Sequence, residues 1–180
     1  MTPPNGDSTR HKKLLGELAA LRADAMVGKH SAVARRVREL LRRYPEVPAL
    51  LVYKGMALQL ADDNGKDHLK EAREALKAAA DLVLGVPYPV TEFAYFLYAV
   101  DDNSQKALKL FERARIDGLT IVEQAYIGSI KALIDLGQIN RAKKTLKAAT
   151  RTLGPTPKLS RLKDELDLSA ATKKPVPSRG

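Results

Sequence analysis

The stretch Ala72-Arg73-Glu74-Ala75-Leu76-Lys77-Ala78-Ala79 decides how this chain is read. Its skeleton is an alanine, a large residue four positions on and a second alanine three beyond that. The same skeleton returns at Ala107, Phe111 and Ala114, and again at Ala142, Leu146 and Ala149. From 72 to 107 to 142 the spacing is 35 each time. Steps of four and three put all three residues on one stripe of a helix. The alanine lets a second helix approach closely, and the large residue one turn on fills the gap beside it. A weaker copy precedes these at Val33, Val37 and Leu40, followed by Pro45. Val33 stands 39 residues before Ala72, so the segment at 62–68 carries an insertion.

Working outward, the same periodicity and the prolines mark the other helices. Ten prolines fall in five close pairs, and between them the chain is rich in Ala, Leu, Lys, Arg and Glu. Proline ends helices, whereas these other residues favour them. Leu14, Leu15, Leu18, Leu21 and Ala25 form a stripe ending near Gly28. Val33, Val37, Leu40, Leu41 and Tyr44 form the next, with Ser31 as N-cap and Pro45 as stop. Helices then follow at 48–61 and 67–83, separated by the turn Asp62-Asp63-Asn64-Gly65. Thr91 opens a short helix to Val100, and Asp101-Asp102-Asn103-Ser104 breaks it. A helix over 104–116 closes at Asp117-Gly118, and the capping box Thr120-Ile121-Val122-Glu123 starts another that ends at Gly137. The last two run over 139–152 and, from Thr156-Pro157, to about 170. No segment alternates like a strand, so the expected fold is all-α, nine helices and no sheet.

With these elements in place the chain resembles the tetratricopeptide repeat family, whose period is near 34 and whose second helix carries Ala-x3-Phe and a closing Pro. Gly55 falls on the family's first-helix glycine, flanked by Leu51 and Leu58. Tyr98 and Tyr126 fall on large aromatic positions, Gly28 and Gly137 on turns between paired helices, and Pro45 on the closing proline. Glu17 and Asp24 depart from the pattern, as does the missing proline of the third unit. The resemblance covers about residues 14–153. It implies an α-solenoid of four antiparallel helix pairs at about 8–45, 48–84, 90–117 and 120–153, capped by 157–170, with tails at 1–7 and 172–180. The runner-up is another helical-pair solenoid or an irregular bundle.

Composition limits the chemistry. The 180 residues contain no Cys and no Trp, which removes disulfides, thiolate metal sites and cysteine nucleophiles. His11, His30 and His68 form no ligand pair on one face, and Asp101, Asp102 and Asn103 read as a turn rather than a metal loop. No phosphate-binding Gly-Lys-Ser/Thr loop and no Gly-x-Ser-x-Gly elbow occurs. The expectation is therefore no catalysis, no cofactor and no metal. The start of the chain lacks the pattern of a signal peptide, and no apolar run approaches the ~20 residues of a membrane helix. A cytoplasmic protein without membrane contact is expected.

The formal charge of +10 is uneven. Residues 1–46 carry net +5, 47–102 net −4, 103–150 net +5 and 151–180 net +4. Two basic ridges stand out: Arg35, Arg38 and Arg42 on one helix, and Lys144, Lys147 and Arg151 on another. Such ridges engage phosphate or an acidic protein when they are anything beyond a solvated face. Five of the nine aromatics lie at Tyr88, Phe93, Tyr95, Phe96 and Tyr98. The Phe residues read as core. Tyr95 and Tyr98 read first as interior of a helix buried all round, and second as a pair offered to a partner.

The resemblance implies a binding scaffold whose curved inner side is lined by first helices. It makes Arg22, Tyr53, Met56, Gln59, Tyr95, Tyr98, Tyr126 and Lys131 the candidate partner-binding residues. The expected function is a scaffold or adaptor that holds a peptide or helix of another protein, a chaperone-like role being one narrower form of it. Nucleic-acid binding through the basic ridges is the alternative, and self-association is the third reading.

Overall fold

A computed structural model describes residues 6–61 and 66–172. All regular structure among them is helical: α1 (Gly6–Met26), α2 (His30–Arg43), α3 (Pro48–Leu60), α4 (Lys66–Leu82), α5 (Pro87–Ala99), α6 (Ser104–Asp135), α7 (Ile139–Leu153) and α8 (Pro157–Thr172). The turn expected at 62–65 lies outside the described residues, as do 1–5 and 173–180 of the expected tails. Gly6, Asp7 and Thr172, placed in tails by the sequence reading, are instead helical. No helix among the described residues is long and apolar enough to cross a membrane.

Local chemistry sets most of the ends. Proline occupies the start of α3 and of α5, where its missing N–H has no helical partner to lose. Helix α5 therefore begins at Pro87, four residues before the expected Thr91. Thr91 lies inside it and donates its hydroxyl to the Pro87 carbonyl at 2.8 Å. Lys29, not Ser31, precedes α2 as its cap residue. Glycines at positive φ follow α1, α6 and α7, namely Gly28, Gly137 and Gly154. The break after α5 forms as expected, with Asn103 Oδ1 accepting from the Lys106 N–H at 3.1 Å. Thr156 caps α8 by accepting from the Leu159 N–H at 3.2 Å.

The chain divides into two compact units, Met1–Arg115 and Ile116–Gly180. In the first, Leu21, Val33, Val37, Leu40, Leu50, Leu58, Leu76 and Phe96 form a continuous buried core contributed by α1 to α5. Leu14, Leu18, Ala25, Leu41 and Tyr44 pack against it, so the two N-terminal stripes face inward, except Leu15, which is exposed. Gly55 of α3 is buried where α4 crosses it, over Leu76 and the Ala72 carbonyl. A smaller cluster of Ala80, Val90 and Ala114, with Phe93 and Leu110, continues the packing to the start of α6.

Ion pairs tie the helices of this unit together. Arg36 of α2 donates to Glu17 of α1 through Nε and Nη2, at 3.1 and 2.6 Å. Glu71 of α4 accepts from Arg38 of α2 at 2.6 Å, and Lys54 Nζ of α3 lies 2.9 Å from its other oxygen. Arg73 pairs with Asp101, and the Arg10 guanidinium sits 5.3 Å over the Tyr44 ring.

In the second unit Ile130, Ala142, Leu146, Ala149, Leu159, Leu162 and Leu166 form the core, with Tyr126, Ile127 and Leu133 against it. The repeat alanines thus behave as their spacing demands: Ala72, Ala79, Ala107, Ala114, Ala142 and Ala149 are all buried.

The expected helix break at 117–120 does not occur, and eight helices replace nine among the described residues. Helix α6 runs unbroken for 32 residues through Asp117-Gly118 and Thr120. A single glycine inside a helix costs only ~1 kcal/mol. The capping box is also diverted. Thr120 donates its hydroxyl back to the Ile116 carbonyl at 3.1 Å, and Glu123 accepts from Lys158 of α8 at 2.8 Å. That ammonium and the Thr156 hydroxyl hold the Glu123 carboxyl below the usual carboxylate range.

Gly16 in α1 and Gly128 in α6 have open space where a Cβ would stand. Alanine at either position is expected to stabilise by about 0.5–1 kcal/mol through helix propensity. Urea denaturation of the two single variants checks this.

Candidate functional site

Helices α1, α3 and α5, with His30 and Val33 of α2, line one groove of about 270 Å3 in the first unit. Helix α3 packs against both of the others, so side chains at their shared edge are forced together. Arg22 and Met26 come from α1, Tyr53, Met56 and Leu60 from α3, and Tyr88 from α5. Three sequence-predicted residues, Arg22, Tyr53 and Met56, converge here although 34 positions separate the outer two. The Tyr88 hydroxyl donates to Met56 Sδ at 3.6 Å, closing the α3–α5 side.

The groove is mostly apolar and open to solvent. Met26 is 79% exposed, Leu60 55% and Tyr88 52%, which is unusual for three large side chains around one depression. Methionine adapts its shape to different apolar guests, and tyrosine supplies area with few rotamers to fix. Charge is sparse and asymmetric. Arg22 contributes the cation on the α1 side. Glu92 lies one turn beyond Tyr88 on α5, half-buried, and burial raises its carboxyl above the usual range. Burial likewise raises the Tyr88 phenol, with the Glu92 charge and Tyr53 acting in the same direction and Arg22 against them. The arrangement can hold an apolar segment and orient it by the Arg22 charge on one side. No group of three His, Cys, Asp or Glu side chains that could bind a metal occurs among the described residues.

The remaining predicted residues do not join this groove. Gln59 donates to the Gly55 carbonyl of its own helix at 3.4 Å. Tyr95 and Tyr98 are exposed, which overturns their reading as interior of a helix buried all round. Tyr95 stands edge-on to Phe111, ring centroids 4.9 Å apart. Tyr126 packs against the core of the second unit, and Lys131 is exposed on α6. Of the first basic ridge, Arg38 is bound by Glu71, whereas Arg35 and Arg42 are exposed. Lys144, Lys147 and Arg151 are all exposed on α7.

Sequence reasoning missed Tyr88, Met26 and Leu60. For Tyr88 a signal was present. Pro87 suits a first helical position, and starting the helix there puts Tyr88 four residues before Glu92, on the same face.

No family model matches the chain. It is similar to an uncharacterized 18.1 kDa protein of Myxococcus xanthus from the region 3′ of carS, 31% identical over 90 residues. The match covers 50% of this chain and 52% of that protein, so the chain spans about half the length of the curated relative it matches.

Proposed function

We propose that the chain is a protein-interaction adaptor of the tetratricopeptide kind, which holds a peptide or helix of a partner in the α1–α3–α5 groove. The observation that carries this reading is the convergence of Arg22, Tyr53 and Met56 from two helices with Tyr88 from a third. The stacked-pair architecture is supported in the first unit by the buried Ala72 and Gly55 at the α3–α4 crossing. The unbroken α6 departs from the family's pattern at the junction of the third and fourth units. Affinity would rest on burying the exposed rims of Met26, Leu60 and Tyr88, with Arg22 selecting orientation.

The test is site-specific photo-crosslinking in the source organism's lysate, with the crosslinker at Met56 and, as control, at the exposed Arg35. A specific protein adduct is expected at 56 and not at 35, before and after nuclease treatment. The joint variant Arg22→Glu, Tyr53→Ala is expected to remove it. Adducts that vanish with nuclease would replace the adaptor by the nucleic-acid reading. Equal adducts at both positions would exclude the groove.

A further inference from the structure

The groove that carries the adaptor reading also collects the sulfur of the described residues. The chain has no Cys and no Trp, and of its three methionines Met1 lies outside the described residues. The other two, Met26 and Met56, both line the groove. A peroxide attacks thiols and thioethers ahead of other side chains, so among the described residues it is directed to one place. We propose that Met26 is an oxidation-sensitive modification site: a peroxide converts its thioether to the sulfoxide, and the groove then releases its partner segment. The release rests on the adaptor reading, whereas the oxidation does not.

The two thioethers are not equivalent. Met26 is the last residue of α1 and is 79% exposed, so a dissolved oxidant reaches it freely. It also borders a second depression beside the groove, with Arg22 and Tyr53 common to both. Met56 is partly buried, and its Sδ accepts the Tyr88 hydroxyl at 3.6 Å. That bond engages a sulfur lone pair, which is the nucleophile in the oxidation. Met26 therefore reacts first. A lone pair of its Sδ attacks one oxygen of hydrogen peroxide. The S–O bond forms as the O–O bond breaks, and the departing hydroxide takes the proton of the transferred hydroxyl and leaves as water. Sulfur gives up two electrons and the peroxide takes them.

The product changes what the groove can hold. A thioether is apolar and shapes itself to an apolar guest. A sulfoxide carries a strong acceptor oxygen, which is costly to cover with an apolar segment that offers no donor. Arg22 stands one turn before Met26 on the same face of α1 and lines the same groove. A sulfoxide oxygen that recruits this guanidinium withdraws the groove's orienting cation from the partner. Met26 contributes nothing to the buried core of the first unit, so the fold persists through the change. Sulfoxide reductases reverse the reaction, which makes the site a switch rather than a lesion.

The test uses the full chain with the photo-crosslinker at Leu60 on the groove rim, which leaves both methionines in place. The protein is treated with millimolar hydrogen peroxide, desalted and mixed with desalted lysate, so that neither oxidant nor reductant is carried over. Peptide mass mapping is expected to show one added oxygen on Met26 at least fivefold faster than on Met56. The protein adduct at Leu60 is expected to fall at least tenfold once Met26 is oxidised, and to return after treatment with the two methionine sulfoxide reductases, one for each epimer. Met26→Leu, an apolar replacement of similar volume, is expected to keep the adduct through the same treatment. Met26→Gln, a polar one, is expected to lose it without peroxide while the helical circular dichroism is unchanged. Oxidation of Met26 no faster than of Met56, an adduct that survives complete oxidation of Met26, or equal loss in Met26→Leu would overturn the proposal and leave the adaptor reading standing. No adduct at Leu60 in the untreated protein would overturn the adaptor reading and the release together.

Discussion

Replacing Gly55 by alanine destabilises the first unit by about 1–3 kcal/mol, although alanine is the better helix former by ~1 kcal/mol. A Cβ at this position would fall onto Leu76 Cγ, 2.7 Å from its Cδ2 and 3.1 Å from the Ala72 carbonyl oxygen. Leu76 is fully buried and cannot swing into solvent to make room. The Ala72 carbonyl belongs to the backbone of α4 and moves only if the helix moves. Leu76→Ala alone is expected to cost about 2–5 kcal/mol through the cavity it leaves. In the double variant the methyl introduced by Gly55→Ala enters that cavity, so its cost is expected to fall below the sum of the singles. Urea denaturation followed by tyrosine fluorescence reads this out, because five of the six tyrosines lie before residue 116. A stabilised Gly55→Ala, or strict additivity, would mean that α3 and α4 are not held at this close crossing. The contrast with Gly16 and Gly128 is internal: the same substitution changes sign according to what stands opposite.

The repeat was legible for this same physical reason. Small residues are fixed wherever two helices touch, so Ala72, Ala107 and Ala142 keep their spacing and are all buried. The stripes of α1 and α2 were legible too, because one apolar face on a helix has only one place to go. What failed to show was decided by partners distant in sequence. Asp117-Gly118 and Thr120-x-x-Glu123 spell a stop and a start, yet Glu123 is engaged by Lys158, 35 residues away. Arg38 looks on its helix like a solvated or phosphate-binding cation, and only α4 reveals its carboxylate. The candidate groove was half legible. Arg22, Tyr53 and Met56 followed from the idea of first helices lining one face, whereas Tyr88 was lost with four residues of α5.

Glu71 gives the chain a specific acid sensitivity. Its carboxylate joins Arg38 of α2 and Lys54 of α3 to α4, and the hydrogen bond from Arg38 is the main reason its pKa falls to about 2. Burial acts against this, and Lys54 adds to it. The same bond raises the Arg38 guanidinium, so the cation keeps its proton throughout. A carboxyl depressed in the folded state contributes stability that is complete above its unfolded pKa, ~4.3, and is lost as pH falls towards about 2. Because Glu71 is about one-third exposed, solvent screening reduces the contribution to about 1–2 kcal/mol. Glu71→Gln is therefore expected to be less stable than the parent by that amount at pH 7. The gap should close between pH 4.5 and about 2, where the parent loses stability and the variant has no such carboxyl to titrate. Denaturation midpoints measured from about pH 2 to 7 for both proteins test it, and a gap that is constant across the range would remove the ionic contribution. Arg38→Gln should shrink the same pH-dependent component, since it deletes the largest cause of the shift. Under the adaptor proposal, Arg38→Gln should leave crosslinking at Met56 intact at neutral pH, because that arginine ties α2 to α4 through Glu71 and does not line the α1–α3–α5 groove.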